Sequence, residues 1–361
     1  TSRDRFIRSM LLFSEGDNYN EAKAAESARL LRALGIMNPV EITAVEVEGG
    51  VEVTVVTHDQ WSLQIGADAG LSGNRGNFGI QLQEENFLGW GKYLNLGYDS
   101  DVERDTWSYG YRDPNIFGSR WMTELIYEDR TDGVLKKVRV ERPFYSLATQ
   151  RAWGGVWLSE DLTEHLYAAN ESAVQGIRKS EIFRGWYGIE LGDGEPITRR
   201  LFVGWDAQKV RYENWRWVDS GETFTPPPPR DVSGIHVGYE QVRDNFEVLH
   251  GFRAWSTQED VGRGPQFRVG ATFSGPALGG DISRILYDGG LSIGHHKGRW
   301  LLLGDAWLSG RFDRGEARNV LYGIQLAASN IGERGFQFRL LVDASHELDR
   351  DRQLTLGADV G

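Results

Sequence analysis

The side chains with the most direct catalytic potential are a serine and two histidines that lie close together in the chain. Ser292 lies in Gly290–Gly294, which matches the G-x-S-x-G pattern of a nucleophile elbow. That elbow needs a helix after the serine, whereas here a turn and a strand-like segment, Trp300–Leu308, follow. His295 and His296 are neighbours, and neighbouring strand residues point to opposite faces, so they cannot readily bind one metal ion. We therefore expect a solvated loop and a strand here.

Pairs of carboxylates are the second candidate chemistry, because two carboxyl groups flanking one bond can hydrolyse a glycoside. Glu84 and Glu85, and likewise Asp99 and Asp101, are such neighbours. In a chain with 52 acidic residues these pairs are expected by chance. The sequence also has no phosphate-binding loop and no dinucleotide fingerprint. We expect no catalytic residue, no metal site and no cofactor, hence a protein that is not an enzyme.

Composition narrows the remaining classes of protein. The 361 residues include no cysteine, which excludes disulfides, zinc-thiolate sites, iron–sulfur ligation and a cysteine nucleophile. The net charge of −12 argues against a nucleic acid partner. The sequence contains no uncharged apolar run long enough for a transmembrane helix. The sequence does not exclude a transmembrane β-barrel, because the strands of such a barrel have apolar residues only at every second position.

The first 61 residues have the pattern of a small α/β module. Phe6–Phe13 is predicted to be a short strand, and Asn20–Leu34 a helix that Asn20 caps and Gly35 ends. Val40–Val47 and Val51–Thr57 are predicted to form a hairpin. The helix should cover one face of this small sheet.

After Asp59 the pattern changes to alternation of apolar residues with polar or small ones. Phe267, Val269, Ala271 and Phe273, for example, alternate with Arg268, Gly270 and Thr272. Such alternation is typical of strands with one apolar and one hydrated face. We expect roughly 14 to 16 strands between Phe78 and Gly361. A large soluble all-β enzyme, with the aromatic residues in its core, is an alternative interpretation.

The N-terminal module resembles a POTRA domain, a small periplasmic docking domain. The resemblance is carried by Phe13–Asp17, by Tyr19 and Asn20, by Glu26–Gly35, by Val40 and by Val51–Val56. It implies that residues 1–66 form one POTRA domain, whose first strand would be truncated. One edge of that domain would bind extended partner chains by β-augmentation, through Val51, Glu52, Val53, Thr54, Val55, Val56 and Thr57.

The rest of the chain resembles the barrel of the BamA/TamA outer-membrane assembly superfamily, which is the bacterial surface antigen β-barrel. Three motifs occur in the family's order: Glu85–Gly91, Asp113–Ser119 and Glu141–Leu147. Gly89 and Gly91 would allow positive φ at a turn. The turns would contain Asp113, Pro114, Asn115, Gly118, Arg142, Pro143 and Phe144. The resemblance implies that residues 67–361 form an antiparallel outer-membrane β-barrel of nominally 16 strands, preceded by the periplasmic module.

The end of the sequence departs from the family pattern. Leu354–Gly361 resembles the segment that precedes an Arg-Gly-aromatic motif, and that motif does not follow. The departure predicts that the chain is a fragment with an incomplete barrel.

The resemblance implies insertion, assembly or translocation of polypeptides without catalysis. The partners would be outer-membrane lipid, client outer-membrane or secreted polypeptides, and periplasmic proteins or lipoproteins at the POTRA domain. The first barrel strand would form a weak seam that accepts a client strand, through Phe78, Gly79, Ile80, Gln81, Leu82 and Gln83. Phe78, Ile80 and Leu82 would point outward.

Two other interpretations stay open. The barrel could be a passive pore or a structural barrel, with a POTRA domain that only anchors it. Pro226–Pro229 could bind an aromatic groove of a partner, although a stiff polyproline spacer in an outer loop is favoured.

Overall fold

The computed structural model describes residues 1–72, 75–101, 103–168, 171–192, 196–250, 257–330 and 337–346. It divides into two compact units. The first contains residues 1–162 and 246–261, and the second contains residues 163–245 and 262–361. Within the described ranges, no helix has the length and apolar character needed to cross a membrane.

Two helices open the first unit. Helix α1 spans Asp4–Met10 and helix α2 spans Glu21–Ala33. The side chain of Asn20 accepts a hydrogen bond from the Lys23 amide at 2.9 Å and caps α2, as predicted. The predicted strand over Phe6–Phe13 is wrong. Phe6 and Met10 are one helical turn apart and are both buried, so the same apolar residues satisfy a helix.

A β-hairpin follows the helices. Strand β1 (Met37–Val47) pairs with β2 (Gly50–Asp59) in an antiparallel register, which confirms the predicted hairpin. Its base packs on the two helices around a small buried core, formed by Phe6, Met10, Ala28, Leu31, Ile36, Met37 and Val40. Beyond this core the hairpin is exposed, with Val45 at 62%.

The remaining strands continue in chain order. They are β3 (Leu63–Ser72), β4 (Arg75–Phe87), β5 (Lys92–Ser100), β6 (Asp105–Asp113), β7 (Met122–Arg130), β8 (Gly133–Arg142), β9 (Arg151–Ala168), β10 (Glu171–Glu190), β11 (Ile197–Trp217), β12 (Arg230–Arg243), β13 (Phe246–His250), β14 (Gln258–Gly262), β15 (Gly264–Ser274), β16 (Arg284–Lys297), β17 (Trp300–Asp313), β18 (Glu316–Asn330) and β19 (Gln337–His346). Short 3-10 turns occupy Ile116–Gly118 and Pro276–Leu278.

Fifteen of these strands form one antiparallel sheet, so the prediction of a mainly β, antiparallel fold is confirmed. Each strand pairs with its neighbours in sequence, except that β12 pairs with β15 because β13 and β14 form a separate two-stranded sheet. Within the described residues the sheet does not close into the predicted barrel of nominally 16 strands. Strands β3 and β19 are its two edge strands there. The sheet begins at Leu63, four residues before the predicted domain start at residue 67.

The sheet exposes apolar side chains on one face and buries polar side chains on the other, which is the reverse of a water-soluble protein. In the second unit, one row of cross-strand partners is apolar and between 38% and 49% exposed: Trp205, Ile235, Phe273, Ile285 and Phe312. The adjacent row points to the other face: Asp206, Gly234, Ser274, Arg284 and Asp313. Its four side chains other than glycine are at most 8% exposed. Charge is therefore buried while large apolar side chains are exposed, the reverse of the usual distribution.

Candidate functional site

The open edge of β3 is the feature best suited to binding another polypeptide. The amide of Glu85 donates a hydrogen bond to the carbonyl of Ser62 at 3.0 Å, and these residues face each other one step before the β3–β4 ladder begins. In an antiparallel ladder the hydrogen-bonded positions alternate, and the register shows no bulge. The backbone groups that point away from β4 are therefore those of Leu63, Ile65, Ala67, Ala69 and Leu71.

These five residues have two properties that suit an acceptor strand. None is proline, so each offers one N–H and one C=O to a chain lying alongside. Their side chains are all apolar, and Ile65 and Leu71 are 74% and 84% exposed. In the described part of the chain no strand pairs with this edge. An unpaired edge of this kind is a template for strand addition.

The predicted seam strand is not at the edge. Phe78, Gly79, Ile80, Gln81, Leu82 and Gln83 lie in β4, which pairs with β3 on one side and with β5 on the other. Their assignment to the first strand is wrong because Gly66–Gly70 of β3 consists of small residues and one aspartate, which give little alternating signal. Phe78, Ile80 and Leu82 are between 43% and 49% exposed, and their outward orientation in a barrel stays a prediction.

The second predicted edge lies in the N-terminal hairpin. Val51, Glu52, Val53, Thr54, Val55, Val56 and Thr57 all belong to β2 and pair with β1. The two-stranded sheet contains no third described strand, so β2 has a free side. Val51 and Val56 are about 40% exposed, while Val55 packs on the core. Whether this side binds a partner stays a prediction.

The predicted turn of Asp113, Pro114, Asn115 and Gly118 connects β6 to β7 and holds helix α1. The carboxylate of Asp113 accepts a hydrogen bond from the Asn115 amide at 3.0 Å. The side-chain amide of Asn115 donates to Ser9 Oγ at 2.9 Å, and its oxygen accepts from the Arg120 amide at 2.7 Å. This turn therefore provides polar contacts for α1 in addition to reversing the chain.

Arg120 closes the end of α1. Its guanidinium donates to the carbonyls of Leu11 at 2.6 Å and of Met10 at 3.2 Å, which otherwise have no helical partner. It also lies 4.9 Å from the centre of the Tyr145 ring. Burial lowers the pKa of Arg120, and the positive charge of Arg142 adds to this decrease. The guanidinium nonetheless stays charged at neutral pH.

The other predicted turn residues lie after β8. Arg142 ends β8, and Pro143 and Phe144 belong to the connection to β9. The Arg142 guanidinium lies 5.7 Å from the centre of the Tyr145 ring and 5.2 Å from that of Trp153. Stacking of this kind stabilises a cation against an aromatic face.

The turn between β4 and β5 receives helix α1 directly. Gly89 and Gly91 have φ values of +76° and +62°, as predicted. A Cβ atom at position 91 would overlap the ring of Phe6, which is 3% exposed. Close approach of α1 to this turn therefore depends on glycine.

A contact that the sequence analysis did not predict joins the N-terminal module to the β13–β14 hairpin. Asn38 and Gln258 exchange two hydrogen bonds, of 2.7 and 2.8 Å, between the side chain of the first and the backbone of the second. Arg32 donates to both carboxylate oxygens of Asp260, at 2.8 and 2.6 Å. Arg29 lies 4.7 Å from the centre of the Phe246 ring. These partners are more than 200 positions apart, and no local pattern marks them.

The serine and the two histidines considered for chemistry all lie in strand β16. Ser292 lies inside β16, and its hydroxyl donates to Asp305 of β17 at 2.6 Å. The following connection, Gly298–Arg299, leads into another strand rather than a helix. His295 and His296 are neighbours in β16. No group of three metal-binding side chains occurs among the residues that the structure describes.

Comparison with known proteins gives a distant likeness in fold. No protein-family model matches the chain, and no curated protein matches it. Among solved structures, BamA from Haemophilus ducreyi lacking POTRA domains 1–3 is similar over 95% of this chain and 69% of that one, with 14% identity and a TM-score of 0.40. CdiB from Acinetobacter baumannii is similar over 97% of this chain, with 10% identity and a TM-score of 0.48. The chain spans 62% of the length of CdiB.

Proposed function

We infer that this chain is part of an outer-membrane β-barrel that inserts, assembles or translocates polypeptides. In this proposal the 15-stranded sheet, which begins with β3, lies in the membrane, and the residues of the predicted range 1–66 that precede β3 form a POTRA domain in the periplasm. That domain docks clients or partner proteins along β2. The barrel performs no catalytic step, and client folding and lipid burial supply the free energy.

The inverted sheet is the observation that carries the membrane part of the proposal. An exposed apolar row, such as Trp205, Ile235 and Phe273, is unfavourable in water and favourable in lipid. The buried polar row beside it, including Asp206 and Arg284, suits the hydrated interior of a barrel. A soluble enzyme would need a second layer of structure over the apolar face.

The edge of β3 supports the assembly role. Unpaired backbone groups cost several kcal/mol each in lipid, so an open edge in a membrane must pair with a strand. The backbone groups of Ile65, Ala67 and Ala69 that point away from β4 can pair with an incoming client strand. The edge of β3 thus takes the place of the seam that the sequence predicted in β4. In a passive pore this edge would stay permanently paired with a strand of the same barrel.

The test removes one backbone N–H group that points away from β4 and leaves the pairing of β3 with β4 unchanged. Ala67→Pro removes an N–H that points away from β4, whereas the inward ladder stays intact. Ala67→Val keeps the N–H and serves as the matched control. Each variant is reconstituted in lipid vesicles and given the unfolded precursor of an eight-stranded outer-membrane barrel.

We expect Ala67→Pro to slow precursor assembly at least about tenfold, and Ala67→Val to leave it near the unmodified rate. Because the chain has no cysteine, Ile65→Cys provides a single crosslinking position beside the edge. It should crosslink to a cysteine in the precursor during assembly. Assembly that is insensitive to Ala67→Pro would reject the strand-addition role and favour the passive pore.

A further inference from the structure

The first unit contains a cavity of about 250 Å³ between helix α1 and two turns of the sheet. Arg5, Phe6 and Ser9 of α1 line one side, and the β4–β5 turn and the β6–β7 connection line the other. The proposed client-binding strands, β2 and β3, contribute none of its described lining. Small-molecule sites usually measure about 300–1,000 Å³, so the volume of this cavity suits one large side chain of a polypeptide.

The apolar walls of the cavity are aromatic. Phe6 is 3% exposed and lies at the bottom, Trp90 is half-buried, and Phe117 is 99% exposed at the rim. An inserted aromatic ring can meet these rings edge to face or offset-stacked, which are the arrangements that aromatic pairs prefer. An aromatic side chain is therefore the ligand that these walls suit best.

Phe117 contributes little to the fold and has a strained backbone. Its φ and ψ are +52° and +24°, in the left-handed region that bulky residues rarely adopt. Arg120, in the same connection, also has a positive φ, but its guanidinium binds the end of α1. Because the Phe117 ring is almost fully exposed, no burial of the ring offsets its strain. A strained residue without a packing role is a candidate for ligand binding.

The polar groups that line the cavity are paired, with the exception of Arg5. The ammonium group of Lys92 lies 3.2 Å from the carboxylate of Asp113. The side-chain amide of Asn115 donates to Ser9 Oγ at 2.9 Å. The exposed guanidinium of Arg5 has no hydrogen bond and no ion pair within the described part of the chain. A positive charge in this position favours a carboxylate on the incoming chain.

We propose that this cavity binds an aromatic side chain of a partner polypeptide, with the Arg5 guanidinium paired to a carboxylate on the residue next to the aromatic one. Phe117 covers the inserted ring, and the burial of its own ring on binding offsets the backbone strain. Asp4, the acidic neighbour of Arg5, does not line the cavity. A cavity of this size holds one ring but only part of an acyl chain, so a polypeptide is favoured over a lipid.

Titration of the full chain in lipid nanodiscs with short peptides tests this proposal. The probe is acetyl-Ser-Phe-Asp-Ser-amide, and the control peptides have alanine in place of phenylalanine or asparagine in place of aspartate. Hexanoate, a short acyl chain with a carboxylate, is the competing ligand. Saturation-transfer NMR measures each Kd and identifies the ligand protons that contact the protein, and empty nanodiscs provide the blank.

The variants separate binding from folding. Phe117→Gly removes the ring and the backbone strain, and Arg5→Gln removes the charge. Leu88→Gly is the matched control, because Leu88 has φ of +55° and is 65% exposed but does not line the cavity. Arg8→Gln is the control on α1, because Arg8 is exposed and pairs with Glu15 away from the lining residues.

We expect Phe117→Gly to raise the Kd of the phenylalanine–aspartate peptide about tenfold or more, because the ring contact is lost. Urea unfolding of this variant should show no loss of stability relative to Leu88→Gly. Arg5→Gln should raise the Kd of the same peptide about threefold and leave that of the asparagine peptide unchanged. Both control variants should bind the peptide as the unmodified chain does.

Absence of saturable binding above the blank, or equal binding of the peptide without phenylalanine, would overturn the proposal. An unchanged Kd in Phe117→Gly would do the same. Equal or tighter binding of hexanoate would assign the cavity to an acyl chain instead. A loss of stability in Phe117→Gly beyond that in Leu88→Gly would also contradict the proposal, because the ring would then serve the fold.

Discussion

The guanidinium of Arg32 and the carboxylate of Asp260 form two parallel hydrogen bonds although 228 residues separate them in the chain. Both side chains are largely buried, at 8% and 14% exposure. The pair joins helix α2 to strand β14, so it fixes the N-terminal module to the β13–β14 hairpin of the same unit. A buried pair of this kind is costly to break, because the remaining charge has no partner.

Asp260→Ala should therefore weaken the attachment of the N-terminal module to the β13–β14 hairpin. We expect a loss of about 3–5 kcal/mol in the stability of this contact, since Arg32 would keep its charge in a buried place. Hydrogen exchange of the α2 amides measures this loss, and exchange should accelerate at least about a hundredfold. Arg32→Met combined with Asp260→Leu should recover most of the stability.

The matched control is the exposed pair of Arg8 and Glu15, whose side chains are 69% and 86% exposed. Glu15→Ala should cost less than about 1 kcal/mol, because water already solvates both charges. If Asp260→Ala changed exchange no more than Glu15→Ala, the anchoring role of Asp260 would be excluded.

The apolar face and the polar face of the sheet could be predicted from the sequence, because the alternation that produces them lies between adjacent residues. Trp205 and Asp206 are adjacent in the chain, and the strand period of two places them on opposite faces. The hairpin of β1 and β2 was equally predictable, since a glycine turn separates two valine-rich segments.

Other features depend on contacts that no local pattern reveals. Phe6 and Met10 suit either a strand or a helix when seven residues are considered alone, and packing against α2 and β1 decides for the helix. Strand β3 was missed because pairing with β4, not side-chain alternation, defines it. The cavity lined by Pro226–Pro229 in the second unit combines residues from the end of β9 and from three connections, and only the polyproline segment stands out in the sequence.

Gly91→Ala should displace helix α1 from the β4–β5 turn. The new methyl group would overlap the Phe6 ring, and φ of +62° adds about 1–2 kcal/mol of strain for a residue other than glycine. We expect a total loss of about 3–5 kcal/mol, because the buried Phe6 side chain would have to leave its site. Urea unfolding and hydrogen exchange of α1 report this change.

Gly298→Ala isolates the backbone strain. Gly298 has φ of +63°, and a Cβ atom there would meet nothing within 4 Å. This variant should lose only the strain of about 1–2 kcal/mol. Equal losses for the two alanine variants would show that the Phe6 contact contributes nothing.

Phe273→Arg tests whether the apolar face lies in lipid. Phe273 is 49% exposed and lies in the apolar row between Ile235 and Ile285. In water an exposed phenylalanine can be replaced with a change within about 0.5 kcal/mol. In a bilayer, arginine on the lipid face should cost about 2–4 kcal/mol near the midplane. Reversible folding of the chain into lipid vesicles, followed by urea titration, measures the difference.

Val45→Arg is the control for this substitution. Val45 is 62% exposed, but it lies in the hairpin of the N-terminal module, which the proposed function places in the aqueous periplasm. Arginine there should change stability by no more than about 0.5 kcal/mol, because the side chain meets water in both the folded and the unfolded chain. A loss at Phe273 as small as that at Val45 would mean that the apolar row meets no hydrocarbon. The membrane location and the assembly role that depends on it would then both be rejected, since an open β3 edge has no need of a partner in water.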